Sequence, residues 1–164
     1  MIVVVSGNPR PDSRTLHLAE AVGGALAARL GRPAPLTVDV AELGARLLQS
    51  GDEAVAEALA TLRRASLLVV ATPTYKGSYT GVLKVLLDQL PADALRGIAA
   101  VSVVTAGVQP QADAATRHLR ELLGELGATP VEPGLALAEP ELADAGTAVA
   151  GYVTRIAGSF AAGV

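Results

Sequence analysis

Runs of hydrophobic residues alternate along the chain with amphipathic stretches. Five runs are short, β-branched and apolar at successive positions, as strands buried on both faces of a parallel sheet are. They cover Ile2–Ser6 and residues 36–40, 67–72, 98–105 and 131–137. The pattern therefore predicts five β-strands in one sheet that is covered on both sides.

The amphipathic stretches place apolar residues three or four positions apart, which is the spacing of one face of an α-helix. The five sets are Leu18, Val22, Ala25 and Leu26; Val55, Ala58, Leu59 and Leu62; Leu83, Leu86, Leu87 and Leu90; Leu119, Leu122, Leu123 and Leu126; and Val149, Tyr152, Val153, Ile156 and Phe160. Because a helix follows each strand, short right-handed connections predict a flavodoxin-like three-layer α/β/α sandwich. Its five-stranded parallel sheet has the order 2-1-3-4-5.

Composition limits the class of protein. The chain has 164 residues, 51% of them hydrophobic, and 13 basic against 16 acidic side chains give a net charge of −3. This is enough apolar material for one core, so we expect a single domain over residues 1–164. With 3 Tyr, 1 Phe, no Trp and no basic stripe, the chain lacks the means to stack bases or to neutralise phosphates along a duplex. We expect no nucleic acid among its partners.

The chain has no cysteine, which excludes disulfides, thiol nucleophiles and iron–sulfur clusters. Neither histidine has a second one at metal-binding spacing, so we predict no metal site and assign His17 and His118 to ordinary surface or packing roles. Redox chemistry would have to come from a bound cofactor. The longest apolar stretch, near residues 98–108, is about half of the roughly 20 residues that span a bilayer. We expect a cytoplasmic protein that makes no membrane contact.

A polar segment with the sequence SGNPRPDSRT, residues 6–15, follows the first strand. Ligands of open parallel sheets bind beyond the carboxyl ends of the strands. Backbone N–H groups at a helix start, two hydroxyls and the guanidinium groups of Arg10 and Arg14 suit a phosphate monoester. The spacing fits neither the dinucleotide fingerprint nor the nucleotide-hydrolase loop. The alternative is a plain turn into a helix that Asp12 or Ser13 caps.

Two further segments reach the same edge of the predicted sheet. Residues 73–77 follow the third strand and offer backbone hydrogen bonds, hydroxyls and the cation of Lys76 to a heterocycle. The alternative is a capped loop with a solvated lysine. Residues 105–107 follow the fourth strand, and their small side chains would let the backbone approach a planar ligand. Asp39 ends the second strand, but without a glycine fingerprint we do not assign it to a ribose.

The motifs GNPRPDSRT and ATPTYKGSYTGVLKVLLDQLP resemble those of the NADPH-dependent FMN reductase family. They are most similar to the branch that supplies reduced flavin to two-component monooxygenases such as the alkanesulfonate systems. The match runs in order across nearly all of the chain, with Asn8 where the motif usually has serine. The resemblance implies a flavodoxin-like fold and the cofactors FMN and NADPH or NADH.

The resemblance also implies where the flavin binds. It places the phosphate in the first segment and the ribityl chain and ring between the second and third. The implied FMN-binding residues are Asn8, Arg10, Ser13, Arg14 and Thr15; Pro73, Thr74, Tyr75, Lys76, Gly77 and Ser78; and Thr105, Ala106 and Gly107. Because hydride passes directly from nicotinamide to flavin, we predict no catalytic side chain.

The leading hypothesis is an NAD(P)H-dependent FMN reductase that supplies reduced FMN to a partner monooxygenase. One alternative keeps FMN bound and reduces quinones, azo dyes or chromate. Another is a flavodoxin-like electron carrier without NAD(P)H turnover, although the small charge and absent Trp are atypical of one. A flavin-free scaffold is the last. The helix after strand three has more apolar surface than one sheet-facing stripe uses, which predicts a homodimer or homotetramer.

Overall fold

The computed structural model describes residues 1–160, which build a parallel sheet flanked by helices. The strands are β1 (Ile2–Ser6), β2 (Leu36–Asp39), β3 (Leu67–Pro73), β4 (Ala99–Ala106), β5 (Thr129–Pro130) and β6 (Leu135–Ala138). Their order is β2-β1-β3-β4-β5, and β6 also pairs with β4. The predicted flavodoxin-like order is therefore confirmed. Residues 161–164, the end of the predicted domain, lie outside the described residues.

Helices follow the strands as the amphipathic stripes predict. Within residues 1–160 they are α1 (Arg14–Arg29), α2 (Val40–Leu43), α3 (Glu53–Arg64), α4 (Gly81–Leu87), α5 (Gln109–Glu125) and α6 (Ala145–Ile156), with 3₁₀ turns at Gly44–Leu48, Glu139–Asp144 and Ala157–Phe160. None of these helices is long and apolar enough to cross a membrane.

Both faces of the sheet are buried under helices. All five residues of β1 are buried. Val3 and Val5 belong to a core cluster with apolar residues of α3, α4 and α5, whereas Ile2 and Val4 belong to a second cluster with those of α1 and α6. Successive side chains of a strand point to opposite faces, so the continuous apolar run fills both cores. The sandwich has three layers.

The fifth strand differs from the prediction. The expected run over residues 131–137 is broken, and two short strands, β5 and β6, pair with β4 at different places. Pro130 and Pro133 have no backbone N–H to donate to a ladder. Gly134 lies so close to α5 that a Cβ there would be 2.7 Å from Cγ2 of Thr116. The chain therefore leaves the ladder after Val131 and returns at Leu135.

The second strand ends one residue earlier than predicted. Val40 begins α2 because Asp39 caps that helix, its Oδ1 accepting the Ala41 N–H at 3.2 Å. An acidic N-cap stops the strand and satisfies a helix-start amide that would otherwise lack a partner. Asp39 therefore has a structural role at the end of β2.

Candidate functional site

The polar segments that follow β1, β3 and β4 meet at the carboxyl edge of the sheet around a cavity of about 350 Å³. Of the fourteen residues predicted to bind FMN, all but Lys76, Gly77 and Ser78 line it, which leaves eleven. They are Asn8, Arg10, Ser13, Arg14, Thr15, Pro73, Thr74, Tyr75, Thr105, Ala106 and Gly107. Parallel strands bring residues a hundred positions apart to one edge, as the topology requires.

The first wall of the cavity is the start of α1. Ser13 is the N-cap, and its Oγ accepts the Leu16 N–H at 3.1 Å. Within residues 1–160 the backbone N–H groups of Asp12, Ser13, Arg14 and Thr15 have no hydrogen-bond partner. Unpaired donors at the positive end of a 16-residue helix are the groups from which proteins build anion sites.

Buried polar contacts fix the shape of this first wall. Asn8 Nδ2 donates to Thr15 Oγ1 at 3.2 Å, and Asn8 Oδ1 accepts the Arg10 N–H at 3.0 Å. The hydroxyls of Thr15 and Thr105 lie 3.3 Å apart, which joins α1 to the end of β4. Asn8 and Thr15 were predicted as FMN ligands. Their side-chain contacts with each other, with Arg10 N and with Thr105 fix the shape of the loop.

Carboxylates beside the first cavity offset part of the positive charge that the sequence predicts there. Arg14 Nη2 lies 2.9 Å from Glu139 Oε1, and His17 Nε2 lies 2.7 Å from Asp12 Oδ1. Among the ion pairs of residues 1–160, none involves Arg10. Of the two arginines of the first loop, Arg14 is paired with a carboxylate, and Arg10 has no such partner within residues 1–160.

Backbone contacts join the second and third walls. Thr74 N and Thr74 Oγ1 both donate to the carbonyl oxygen of Thr105, at 2.8 and 2.9 Å. The β3–β4 pairing continues through Pro73 and Thr105. The two loops consequently form one continuous wall, and Ala106 and Gly107 extend it with small side chains.

A tight turn presents Tyr75 at the mouth of the cavity. Tyr75 N donates to Ser78 O at 3.0 Å, and Ser78 N donates to Tyr75 O at 3.3 Å. The two residues between them have positive φ, 53° at Lys76 and 82° at Gly77, which is the signature of a type I′ turn. Tyr75 is 43% exposed and also lines the cavity.

The start of α4 locks the first and second walls together. Thr80 caps α4, and its Oγ1 donates to Gly7 O at 2.5 Å. Gly7 N donates to Ala71 O at 2.7 Å, and a Cβ at Gly7 would lie 2.7 Å from Leu83 Cβ. Only glycine allows this close approach of β1 to α4.

The three predicted residues missing from the cavity line a neighbouring one. That cavity, of about 620 Å³, is lined by Lys76, Gly77, Ser78, Tyr79, His118, Glu121, Leu122 and Glu125. His118 Nδ1 lies 3.1 Å from Ser78 Oγ. The turn lies between the two cavities, and Lys76 lines the second cavity and not the first.

Glu139 and Leu142 line the first cavity and were not predicted. Both lie in the 3₁₀ turn after β6. Because β6 pairs with β4, its carboxyl end lies beside Ala106. The sequence signal was an acidic residue directly after an apolar run, at Ala138-Glu139-Pro140. The split of the fifth strand obscured it.

Asp39 is a buried titratable group at the end of β2. Burial raises the pKa of its carboxyl, and the Ala41 N–H partly opposes this. Its role is structural, because it does not line the first cavity.

Solved structures share this fold. The apo form of the NADH:FMN oxidoreductase EMOB is 31% identical with a TM-score of 0.72, covering 94% of this chain and 89% of that one. An oxidoreductase from Corynebacterium diphtheriae is 28% identical with a TM-score of 0.81, covering 96% and 94%. Fold and site together define a flavodoxin-like oxidoreductase.

Sequence comparison gives the family. The model for the NADPH-dependent FMN reductase family matches residues 1–141. The NADH-dependent FMN reductase SfnE of Pseudomonas putida is 35% identical over 160 residues, covering 94% of this chain and 86% of the relative. The FMN reductase (NADPH) of Pseudomonas aeruginosa is 34% identical over 148 residues, covering 85% and 77%. The chain belongs to the NADPH-dependent FMN reductase family, whose members are oxidoreductases that use FMN and a reduced nicotinamide.

Proposed function

We propose that this protein reduces FMN with NADH or NADPH and releases the reduced flavin to a partner flavin-dependent monooxygenase. The observation that carries the proposal is the meeting of an anion-binding helix start and two flat loop walls around one cavity of about 350 Å³. Cofactor sites have volumes of about 300–1,000 Å³. We assign the reaction to the cytoplasm, where reduced nicotinamides are available, and to one domain over residues 1–164.

The phosphate end of FMN fits the start of α1. We assign the phosphate to the unpaired N–H groups of residues 12–15 and to the Ser13 hydroxyl, whose oxygen already accepts from Leu16 and whose proton remains available. The Arg10 guanidinium supplies a charge-assisted hydrogen bond. Asn8 and Thr15 hold the loop in the shape that presents these donors.

The ring end fits the second and third walls. Pro73 and Thr74 face residues 105–107 across the joined loops, and a Cβ at Gly107 would meet nothing within 4 Å. We assign the isoalloxazine to this open wall, with the Tyr75 ring against one side. Lys76, Gly77 and Ser78 contribute by forming the turn that presents Tyr75.

FMN supplies the hydride acceptor, and NAD(P)H, FMN and one proton give NAD(P)⁺ and reduced FMN. The protein binds the flavin by its phosphate, orients the ring and leaves one side accessible to the nicotinamide. Within residues 1–160 Tyr75 is the one aromatic residue on the cavity wall. A single aromatic contact favours a flavin that leaves after reduction, and the loop motifs resemble those of reductases that serve monooxygenases.

We also propose that the protein is a homo-oligomer. Leu48 is 81% exposed and, with Leu47 and Val85, lines a groove of about 350 Å³ between the 3₁₀ turn and α4. Large apolar side chains at this exposure are typical of interfaces. A second copy of the chain is the occupant we assign.

The direct test of the reaction is anaerobic mixing of the protein with excess FMN and each nicotinamide in turn. We expect the blue absorbance of many equivalents of FMN to bleach. Comparison of the two nicotinamides gives the preferred reductant. No bleaching with either would overturn the enzyme proposal and favour the electron carrier or the scaffold.

Release is tested separately. Cytochrome c is kept behind a dialysis membrane, anaerobically, and the protein and NAD(P)H are placed on the other side. Free FMN is added, and we expect cytochrome reduction that depends on it, because the protein cannot cross and a diffusing flavin must carry the electrons. A control chamber without protein sets the background. Bleaching of only the equivalent of FMN that the protein binds, without cytochrome reduction, would favour the reductase that keeps its flavin bound.

A further inference from the structure

Two guanidinium groups and two carboxylates line the cavity that we assign to FMN. Arg10 and Arg14 contribute +2, and Asp12 and Glu139 contribute −2, so their formal charges sum to zero. A pocket for a phosphate dianion would gain affinity from a positive excess. The two carboxylates remove it.

The two carboxylates act on different groups. Asp12 Oδ1 lies 2.7 Å from His17 Nε2, on the outer side of α1, and its side chain is highly exposed. Glu139 Oε1 lies 2.9 Å from Arg14 Nη2. Glu139 is therefore the carboxylate that engages a guanidinium predicted to bind the flavin phosphate.

The Arg14–Glu139 pair is easily exchanged. The side chains are 67% and 60% exposed, and exposed ion pairs contribute little stability. A phosphate offers a guanidinium more charge and several oxygens in a geometry that allows two parallel hydrogen bonds. Arg14 can thus move from Glu139 to an incoming phosphate without disturbing the fold.

Glu139 itself stays at the rim. It begins the 3₁₀ turn directly after β6, and the neighbouring Glu141 fixes that turn, its Oε2 accepting the Ala138 N–H at 2.8 Å. β6 is in turn paired with β4 through Ala138 and Ala106. When Arg14 turns to a phosphate, the Glu139 carboxylate therefore remains within reach of the guanidinium and can take it back.

We infer that Glu139 sets the affinity for the flavin phosphate, competing with it for Arg14 and so speeding the release of FMN. The inference rests on the proposed function and assigns to this chain's own residue the property that a flavin-releasing reductase needs. It applies to phosphorylated flavins. Riboflavin has no phosphate, so Glu139 should not affect its dissociation constant.

The test compares wild type, Glu139→Gln and the matched control Glu141→Gln. The control removes a charge from the same turn without touching Arg14, and its amide oxygen can still accept the Ala138 N–H. Flavin fluorescence gives the dissociation constants of FMN and riboflavin, and stopped flow gives the FMN release rate. For Glu139→Gln we expect FMN to bind about three- to tenfold more tightly, mainly through slower release. Riboflavin affinity should change less than about twofold.

A double-mutant cycle with Arg14→Ala identifies the route. If Glu139 acts by holding Arg14, Glu139→Gln should have less than about a twofold effect on FMN affinity in the Arg14→Ala background. Equal effects in both backgrounds, equal effects on FMN and riboflavin, or an equal effect of Glu141→Gln would each overturn the inference. Matching thermal unfolding midpoints without flavin verify that the variants are folded.

Binding and turnover separate this inference from the proposed function. If wild type binds FMN and neither nicotinamide bleaches it, the reductase proposal fails while the affinity comparison can still be made. If wild type reduces FMN and Glu139→Gln leaves its affinity unchanged, the inference about Glu139 fails and the reductase proposal stands.

Discussion

The hydroxyl of Thr80 donates a 2.5 Å hydrogen bond to the carbonyl oxygen of Gly7, and both groups are buried. The same oxygen of Thr80 accepts the Leu83 N–H at 3.2 Å, and Thr80 N donates to Thr72 Oγ1 at 3.1 Å. One side chain thus caps α4 and joins the loops after β1 and β3. The shape of the candidate flavin site depends on this residue although it does not line the cavity.

Replacement of Thr80 should therefore destabilise the protein. Thr80→Val keeps the volume but loses the cap and leaves the Gly7 carbonyl unpaired, so we expect a loss of about 1–3 kcal/mol in the free energy of unfolding, measured with urea. Thr80→Ser should recover most of it. The exposed Thr154, which donates to Ala150 O on α6, provides the control. Thr154→Val should change stability by less than about 0.5 kcal/mol, and equal losses at the two sites would contradict the account.

The proposed phosphate site predicts that FMN binds much more tightly than riboflavin. Arg10→Ala should reduce the ratio of the riboflavin and FMN dissociation constants by a factor of about ten to a hundred, since a charge-assisted hydrogen bond contributes roughly 1.5–3 kcal/mol. Arg29→Ala, at the far end of α1, is the matched control because it changes net charge equally. Fluorescence titration of both flavins measures the effect.

Ser13 needs a different variant, because its oxygen also caps α1. Ser13→Gly removes the hydroxyl while glycine remains an acceptable N-cap, so a loss of FMN affinity there would not reflect a weakened helix. Equal affinity of the wild type for FMN and riboflavin would reject the phosphate site.

Free exchange of FMN is expected from the single tyrosine on the cavity wall. Stacking on one aromatic ring contributes roughly 1–3 kcal/mol, so a missing second ring weakens binding by about one to two decades. We expect the protein to lose most of its FMN on gel filtration and still reduce many equivalents of added FMN. Stoichiometric flavin after the column, together with no turnover of free FMN, would favour a bound-flavin enzyme or a carrier.

The pKa of Asp39 predicts a pH effect on stability. Because burial raises this pKa, the folded state holds the proton to higher pH than the unfolded state, and the contribution of Asp39 to stability falls as pH rises from about 4. Asn also caps helices well. We therefore expect Asp39→Asn to be more stable than wild type at pH 7 and to lose that advantage as the pH falls below the ordinary carboxyl range, measured by urea unfolding at several pH values. A constant difference at all pH values would contradict this.

The proposed oligomer predicts a mass above that of one chain in sedimentation at micromolar concentration with FMN present. Leu48→Asp should shift the protein toward the monomer, because burying a carboxylate at the interface is costly. Leu36→Asp is the matched control, since Leu36 is also an exposed leucine but lies on the edge strand β2. A wild-type monomer would exclude the oligomer.

The centre of the fold was predictable from sequence because its signals are local. The run at Ile2–Ser6 is apolar at nearly every position, and the spacing of Leu119 and Leu123 allows only one buried helix face. Signals that depend on distant residues were harder to interpret. Val131 and Leu135 look like parts of one strand, but Pro130, Pro133 and the close approach of Gly134 to Thr116 divide it.

The candidate site divides in the same way. The sequence could place Arg10 and Ser13 at the cavity because they lie between a predicted strand and the start of a predicted helix. The position of Lys76 depends on the type of a two-residue turn, which its backbone angles define. Composition alone does not give the turn type. Glu139 reaches the cavity only because β6 pairs with β4, which is a contact between segments about thirty residues apart in the chain.

The two positive φ angles at Lys76 and Gly77 have a kinetic consequence. The two-residue turn is closed by hydrogen bonds on both sides and is already ordered in the free protein. The wall that carries Tyr75 is therefore preorganised, and flavin binding has no entropic cost of ordering it. Flavin association should then be a single encounter with no slow rearrangement behind it. Its observed rate should rise in a straight line with flavin concentration and show no plateau.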